Sequence, residues 1–262
     1  MNAVEVTDLT VRAGGRDLVS AVSLHVEAGT WCTVIGPNGA GKTTLVEAVA
    51  GLRRVSAGEI SLGGRAISEL NERARAKIVS LVPQHPEVPA GMAVREYVSL
   101  GRTAHHGLLR GASPRDWLVV DDVMGRLSLE EFAGRDVVTL SGGERQRMVL
   151  GRALAQTTPV MVLDEPITGL DLRHQIELLE LLKKEVADAG LTVLATLHDL
   201  TLAGQFADRL VLLDHGEVVL DGRAGDVIRS PELSVAYQMA LRVVEVDGTD
   251  VVVPTRARTS SQ

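Results

Sequence analysis

An apolar run at residues 30–35 breaks directly into Gly36, Pro37, Asn38, Gly39, Ala40, Gly41, Lys42 and Thr43, and helical spacing follows over residues 43–50 until Gly51. That order leaves few folds open. A continuous apolar strand is covered on both faces, as a central strand of a parallel sheet is. The octet after it matches the G-x(4)-G-K-[ST] pattern. Its glycines let the backbone curl until N–H groups point inward at an anion, and the positive end of the following helix adds to the attraction. Lys42 supplies a point charge for phosphate oxygens, the Thr43 hydroxyl is a ligand for magnesium, and Thr44 completes the phosphate-binding set.

The rest of the chain supplies the sheet that such a strand needs. Residues 4–11 and 22–26 alternate apolar with polar, and Ala13, Gly14, Gly15 and Arg16 separate them, so an antiparallel hairpin is expected. Shorter strands are expected at 59–62 and 78–83. Between residues 87 and 158 helical spacing takes over, at 94–100, 117–127 and 142–156, which predicts a helical insert. Strand patterns resume at 160–163, 192–196 and 209–213. A long amphipathic helix at 172–189 lies among them, with Ile176, Leu179 and Leu182 inward. Strands alternating with helices imply parallel βαβ units. Near the end, residues 243–246 and 251–253 flank Asp247 and Gly248, a dipeptide suited to a tight primed turn, and residues 256–262 read as a frayed tail. The expected organisation is a core from residues 1–86 and 159–240, a helical insert at 87–158, and a hairpin with tail at 241–262.

Composition narrows the function classes. Aromatics make up 2% of a chain that is 45% hydrophobic, so its core must be built from Leu, Val, Ile and Ala. A net charge of -7 argues against broad nucleic-acid binding, which needs clustered Lys and Arg. The one cysteine, Cys32, lies inside the apolar run and reads as a small core residue. A lone thiol makes no internal disulfide, which fits a reducing cytosol. Glu5 and Asp8 interrupt any apolar leader, and runs such as 191–197 fall far short of the roughly 20 residues that span a bilayer. His105 and His106 read as a solvated loop pair rather than a metal site.

Two further segments carry chemistry. Residues 160–165 form an apolar strand ending in Asp164 and Glu165. Two acids where a buried strand emerges are costly unless a cation meets them. Magnesium does so, with Asp164 holding it through water and Glu165 polarising an attacking water. Leu140, Ser141, Gly142, Gly143 and Glu144 precede a helix that Ser141 can cap, and the exposed N–H groups at its start make an anion site. Alone, that segment justifies no more than a capped helix.

In this order the motifs resemble the nucleotide-binding subunit of ABC transporters, over almost the whole length of the chain. The resemblance implies an α/β fold of the P-loop NTPase (RecA-like) type, with an antiparallel β-subdomain and an inserted helical subdomain. It implies hydrolysis of ATP with Mg²⁺, in a homodimer where residues 140–144 of one copy close over the γ-phosphate held by the other. By the same resemblance Gln84 touches magnesium and links core to insert, Leu170 and Asp171 cross the dimer interface, and His198 senses the γ-phosphate. The implied partners are integral membrane permease subunits and, indirectly, a substrate-binding protein; no nucleic acid is expected. The implied place is peripheral, at the cytoplasmic face of the cell membrane, with the surface of residues 84–97 gripping the permease.

One position departs from the pattern. Ala13 stands where the family usually carries a ring against the adenine, and Arg12 or Arg16 offers a guanidinium plane instead. Residues 94–102, residues 140–156 and the terminal hairpin are similar to importers of iron-siderophore, haem and cobalamin. Other readings stay open, among them a non-transport cassette ATPase such as an iron-sulfur assembly partner. Repair members with long coiled coils and translation members with two cassettes fit less well, and a generic P-loop kinase or GTPase gives no reason for residues 140–144. Exporters commonly fuse this domain to membrane helices.

Overall fold

The computed structural model describes residues 2–106 and 111–255; the tail expected at 256–262 lies outside them. The chain opens with β1 (Asn2–Ala13) and β2 (Arg16–Glu27), paired antiparallel. Their turn places Gly14 and Gly15 at φ 58° and 78°, the left-handed pair of a primed turn. Both strands run longer than their alternating stretches. The buried residues pair as Val4, Val6, Leu9 and Val11 with Val26, Leu24, Val22 and Val19. Their alternation skips a residue between Val6 and Leu9 and between Val19 and Val22, where Asp8 and Ala21 take positive φ and the register shifts. Next come β3 (Trp31–Ile35) and α1 (Lys42–Val49), after which β4 (Ala57–Leu62) and β5 (Arg65–Ala66) return to the first pair. They complete a four-stranded antiparallel sheet in the order β2-β1-β4-β5.

A one-turn helix, α2 (Glu72–Arg75), leads to β6 (Val79–Val82). Three helices follow: α3 (Val94–Ser99), α4 (Pro114–Arg126) and α5 (Gly142–Ala155). Strand and helix then alternate as β7 (Val160–Asp164), α6 (Leu172–Ala189), β8 (Thr192–Thr196), α7 (Leu200–Phe206) and β9 (Arg209–Asp214). The last elements are β10 (Glu217–Arg223), α8 (Ala224–Ile228), α9 (Pro231–Ala236), β11 (Ala240–Val246) and β12 (Thr249–Thr255). The large sheet has the order β10-β9-β3-β8-β7-β6, parallel except for β10 at its edge.

Period two along the central strands divides the core between the sheet's faces. Trp31 and Ile35 join the helices α3 to α7, whereas Cys32 and Val34 pack with α1 and the antiparallel sheet. Thr33, also buried, accepts a hydrogen bond from Trp31 Nε1 at 2.9 Å, so neither polar atom is left unpaired. Burial pushes the Cys32 thiol up to about 12. On α6 the buried stripe is Leu178, Leu179, Leu182 and Val186, while Ile176 is only half-buried against it. The final hairpin turns through Asp247 and Gly248 at φ 50° and 78°, as a two-residue primed turn requires. His105 departs from expectation. It is half-buried, with Nε2 2.8 Å from the Gln156 carbonyl oxygen, because the turn after α3 packs on the end of α5.

The helices that carry residues 140–144 are held by an internal ion pair. Arg102 Nε donates to Asp116 Oδ1 at 2.9 Å, and both side chains are buried. Arg102 also donates to the Ala155 carbonyl at 2.8 Å and to Thr157 Oγ1 at 2.9 Å, so its charge sits at the C-terminus of α5, where a helix favours a cation. Beside it, a Cβ on Gly101 would lie 2.1 Å from the Arg152 carbonyl oxygen, a contact only glycine permits.

Candidate nucleotide site

The loop between β3 and α1 is shaped by what lies behind it. A Cβ on Gly36 would fall 2.0 Å from the Leu213 carbonyl oxygen, and one on Gly41 2.5 Å from that of Leu18. Both glycines also have positive φ, 148° and 101°, so backbone and packing require the same residue. Gly41 is the N-cap of α1, and no side chain caps the helix. Its first N–H groups therefore face the cleft with the positive helix end behind them. Lys42 lies folded along the loop, with Nζ donating to the carbonyls of Gly36 at 2.7 Å and Pro37 at 3.0 Å. Burial lowers its pKa, against the opposing pull of Glu165 and Asp164.

The strand end beside the loop brings the two acids in. β7 and β8 pair in register so that Asp164 lies opposite Thr196. The Thr196 hydroxyl donates to Asp164 Oδ1 at 2.7 Å and accepts the Glu165 N–H at 2.9 Å, which ties both acids to one side chain. Thr43 Oγ1 donates to the same Asp164 oxygen at 3.2 Å. Burial holds the Asp164 carboxyl above the ordinary range, a rise that the hydrogen bonds from Thr196 and Thr43 only partly oppose.

Glu165 is the point of convergence. Its backbone is left-handed, φ 49°, which is uncommon outside glycine and costs of order 1–3 kcal/mol. Its Oε2 accepts from Gln84 Nε2 at 2.6 Å and from Thr168 Oγ1 at 3.2 Å. Its Oε1 meets His198 Nε2 in a close contact. Four separated segments thus place Thr43, Gln84, Glu165 and His198 around one open cleft of about 480 Å³, whose wall also includes Leu18 and residues 38–44.

Other expected residues lie elsewhere. Ser141 caps α5 in a reciprocal box with Glu144: Ser141 Oγ accepts the Glu144 N–H at 3.4 Å and Glu144 Oε2 accepts the Ser141 N–H at 2.8 Å. Ser141 and Gly142 are exposed, Leu140 is buried, and none of residues 140–144 lines the phosphate cleft. Asp171 caps α6 through the His174 N–H at 3.0 Å, next to Leu170. His174, in the first turn of α6, lies beside Gly143 at the start of α5, and both line one pocket with Leu170. Arg12, Ala13 and Arg16 are exposed on the first hairpin, outside the cleft lining, and Asp17 engages the Arg12 guanidinium.

Sequence reasoning missed Thr196 and Thr168, which anchor the acids. Thr196 carried a usable signal, since it ends a buried strand two residues before His198. Thr168 and Leu18 carried none that local pattern discloses.

Known proteins resemble this chain over most of its length. The family model described as "ABC transporter" matches residues 19–168. The iron(3+)-hydroxamate import ATP-binding protein of Bacillus subtilis is 35% identical over 244 residues, 93% of this chain and 91% of that protein. The hemin import ATP-binding protein of Streptomyces coelicolor is 39% identical over 251 residues, 95% of this chain and 89% of that protein. Among solved structures, a metal-chelate type transporter in an inward-facing conformation superposes with a TM-score of 0.86 at 24% identity, over 98% of both chains.

Proposed function

The chain belongs to the ABC transporter family as an ATP-binding cassette, and from that premise we propose that it is the ATP-hydrolysing subunit of an importer for iron-siderophore, haem or cobalamin-type cargo. The observation that carries the reading is the convergence of Gln84, Thr168 and His198 on Glu165, beside a phosphate loop that no residue of 140–144 reaches. A triphosphate seated on that loop is open on one side. A second copy of the chain supplies the missing wall, with its Ser141 and the N–H groups after it turned toward the γ-phosphate.

The residues divide the work. Backbone N–H groups of residues 38–44 and the Lys42 ammonium bind the phosphates. Thr43, Asp164 and Gln84 suit magnesium, because they form an oxygen-only donor set and Asp164 is a buried carboxylate raised by desolvation. Bound there, the ion neutralises charge on the phosphate oxygens. Glu165 orients the attacking water and takes its proton on a carboxylate oxygen. Oε2 is already hydrogen-bonded to Gln84 and Thr168 and Oε1 is covered by His198, so recruitment of His198 by the γ-phosphate frees Oε1 for that task. Leu170 and Asp171, the latter capping α6, form the loop that crosses the dimer interface in this reading.

No helix among the described residues is long and apolar enough to cross a membrane. A permease therefore provides the passage in this reading, docked from the cytoplasmic face on the surface near Gln84, where His85, Glu87, Pro89 and Ala90 are exposed. The test is a pull-down from detergent-solubilised membranes with Glu165→Gln and MgATP. Capture of a polytopic permease supports the importer reading; capture of only a soluble assembly complex overturns it.

A further inference from the structure

The phosphate loop is braced from behind at three places. The Leu18 carbonyl fills the space beside Gly41, and the Gly216 N–H, in the turn from β9 to β10, donates to the Ala40 carbonyl at 3.0 Å. The third brace comes from far along the chain. Tyr237, directly after α9, accepts the Gly36 N–H on its hydroxyl at 2.9 Å, across 201 positions of sequence.

Gly36 depends on that contact more than most residues would. It is buried, and the Leu213 carbonyl excludes any side chain that might steady it. Its N–H goes to Tyr237 and its carbonyl accepts from Lys42 Nζ at 2.7 Å, so the ammonium is held through the residue the tyrosine orients. Tyr237 is itself well fixed. Its N–H donates to the Leu233 carbonyl, Leu233 and Ala236 of α9 are buried, and the Leu241 N–H donates to Ser234 Oγ at 3.1 Å. The following hairpin is tied down by Val252 N–H to Thr201 Oγ1 at 3.0 Å and by the fork of Arg229 on Asp250. Burial pushes the phenol up to about 12, so the hydroxyl stays neutral across the working pH range.

We propose that Tyr237 is a positioning residue for phosphate binding: its hydroxyl sets the Gly36 peptide, Gly36 holds Lys42 over the loop, and the C-terminal segment thereby tunes nucleotide affinity. The inference rests on the nucleotide reading of the cleft. It assigns the α9–β12 segment a task at the site, although none of its residues lines the phosphate cleft.

The test is Tyr237→Phe in the full chain, which removes one oxygen and keeps the ring. Affinities for ATP, ADP and adenosine are compared with the parent's by competition, alongside steady-state hydrolysis. Loss of one neutral hydrogen bond predicts about three- to tenfold weaker binding of ATP and ADP. Adenosine, which lacks phosphates, is expected to bind unchanged, and KM should rise while kcat stays within about twofold. Equal ADP affinity in parent and variant overturns the inference and leaves the nucleotide reading standing. Equal weakening of ATP, ADP and adenosine, with a lowered Tm, also overturns it, because it marks a merely structural contact. A parent that binds no ADP overturns the reading of the cleft and the inference with it.

Discussion

Asp116→Asn is the substitution whose cost the structure defines most sharply. The Asp116 carboxylate takes Arg102 Nε on Oδ1 at 2.9 Å, and on Oδ2 it takes the Ser113 N–H at 2.9 Å and the Ser113 hydroxyl at 2.7 Å. The asparagine keeps the shape but removes the charge, leaving the Arg102 guanidinium buried against neutral acceptors at the end of α5. Breaking a buried pair from one side costs about 3–5 kcal/mol. At roughly 2–4 °C per kcal/mol for a chain near this size, Tm should fall by about 6–20 °C. Thermal unfolding by circular dichroism measures it.

Acid supplies a second, independent reading of the same pair. The Ser113 hydroxyl first, and Arg102 with it, hold the Asp116 carboxyl well below the ordinary range. A depressed native pKa contributes stability that is fully present above the unfolded value, near 3.8, and is lost as pH falls through the native value. The gap between parent and Asp116→Asn should therefore be constant from pH 7 to about pH 5 and narrow only in stronger acid. Replacing both partners with apolar residues of similar volume should cost less than Asp116→Asn alone. A gap under about 1 kcal/mol at pH 7, or one unchanged in strong acid, refutes the reasoning.

Other outcomes follow from the site and the core. Glu165→Gln should retain MgATP binding while turnover falls by about 10²–10⁴, measured as phosphate release beside a binding titration. Ala13→Tyr should tighten ATP by an amount matching the roughly 1–3 kcal/mol of a base stacked on a ring, with inorganic triphosphate unaffected. Arg12→Ala in parallel tests whether the Asp17-bound guanidinium already serves the base, in which case ATP weakens. Cys32 should resist alkylation in the native chain at pH 8 and react on unfolding, since it is buried and its thiol is pushed up to about 12.

The parts legible in the sequence are those with short-range physics. The glycine octet between an apolar strand and a helix specifies its own geometry, and the structure shows why, through the carbonyls of Leu213 and Leu18 against Gly36 and Gly41. The Asp247-Gly248 turn was readable for the same reason, since φ is positive at both positions. Illegible were contacts made by strand register and long-range packing. Thr196 reaches Asp164 because β8 lies beside β7 in one register, and Tyr237 reaches Gly36 across the whole fold. His105 looked solvated because nothing local announces that its turn packs on the end of α5. Ile176 packs at the margin of the inner stripe of α6, whose buried residues are Leu178, Leu179, Leu182 and Val186, a difference that spacing alone does not disclose.

The account turns on a shared catalytic pocket, and a crystal structure of Glu165→Gln with MgATP examines it most directly. It should show two copies related head to tail, with Ser141 Oγ of one within hydrogen-bond distance of the γ-phosphate that Lys42 of the other holds. Nucleotide bound to the glycine loop while Ser141 faces away in every assembly, in crystals and in solution scattering alike, would contradict it.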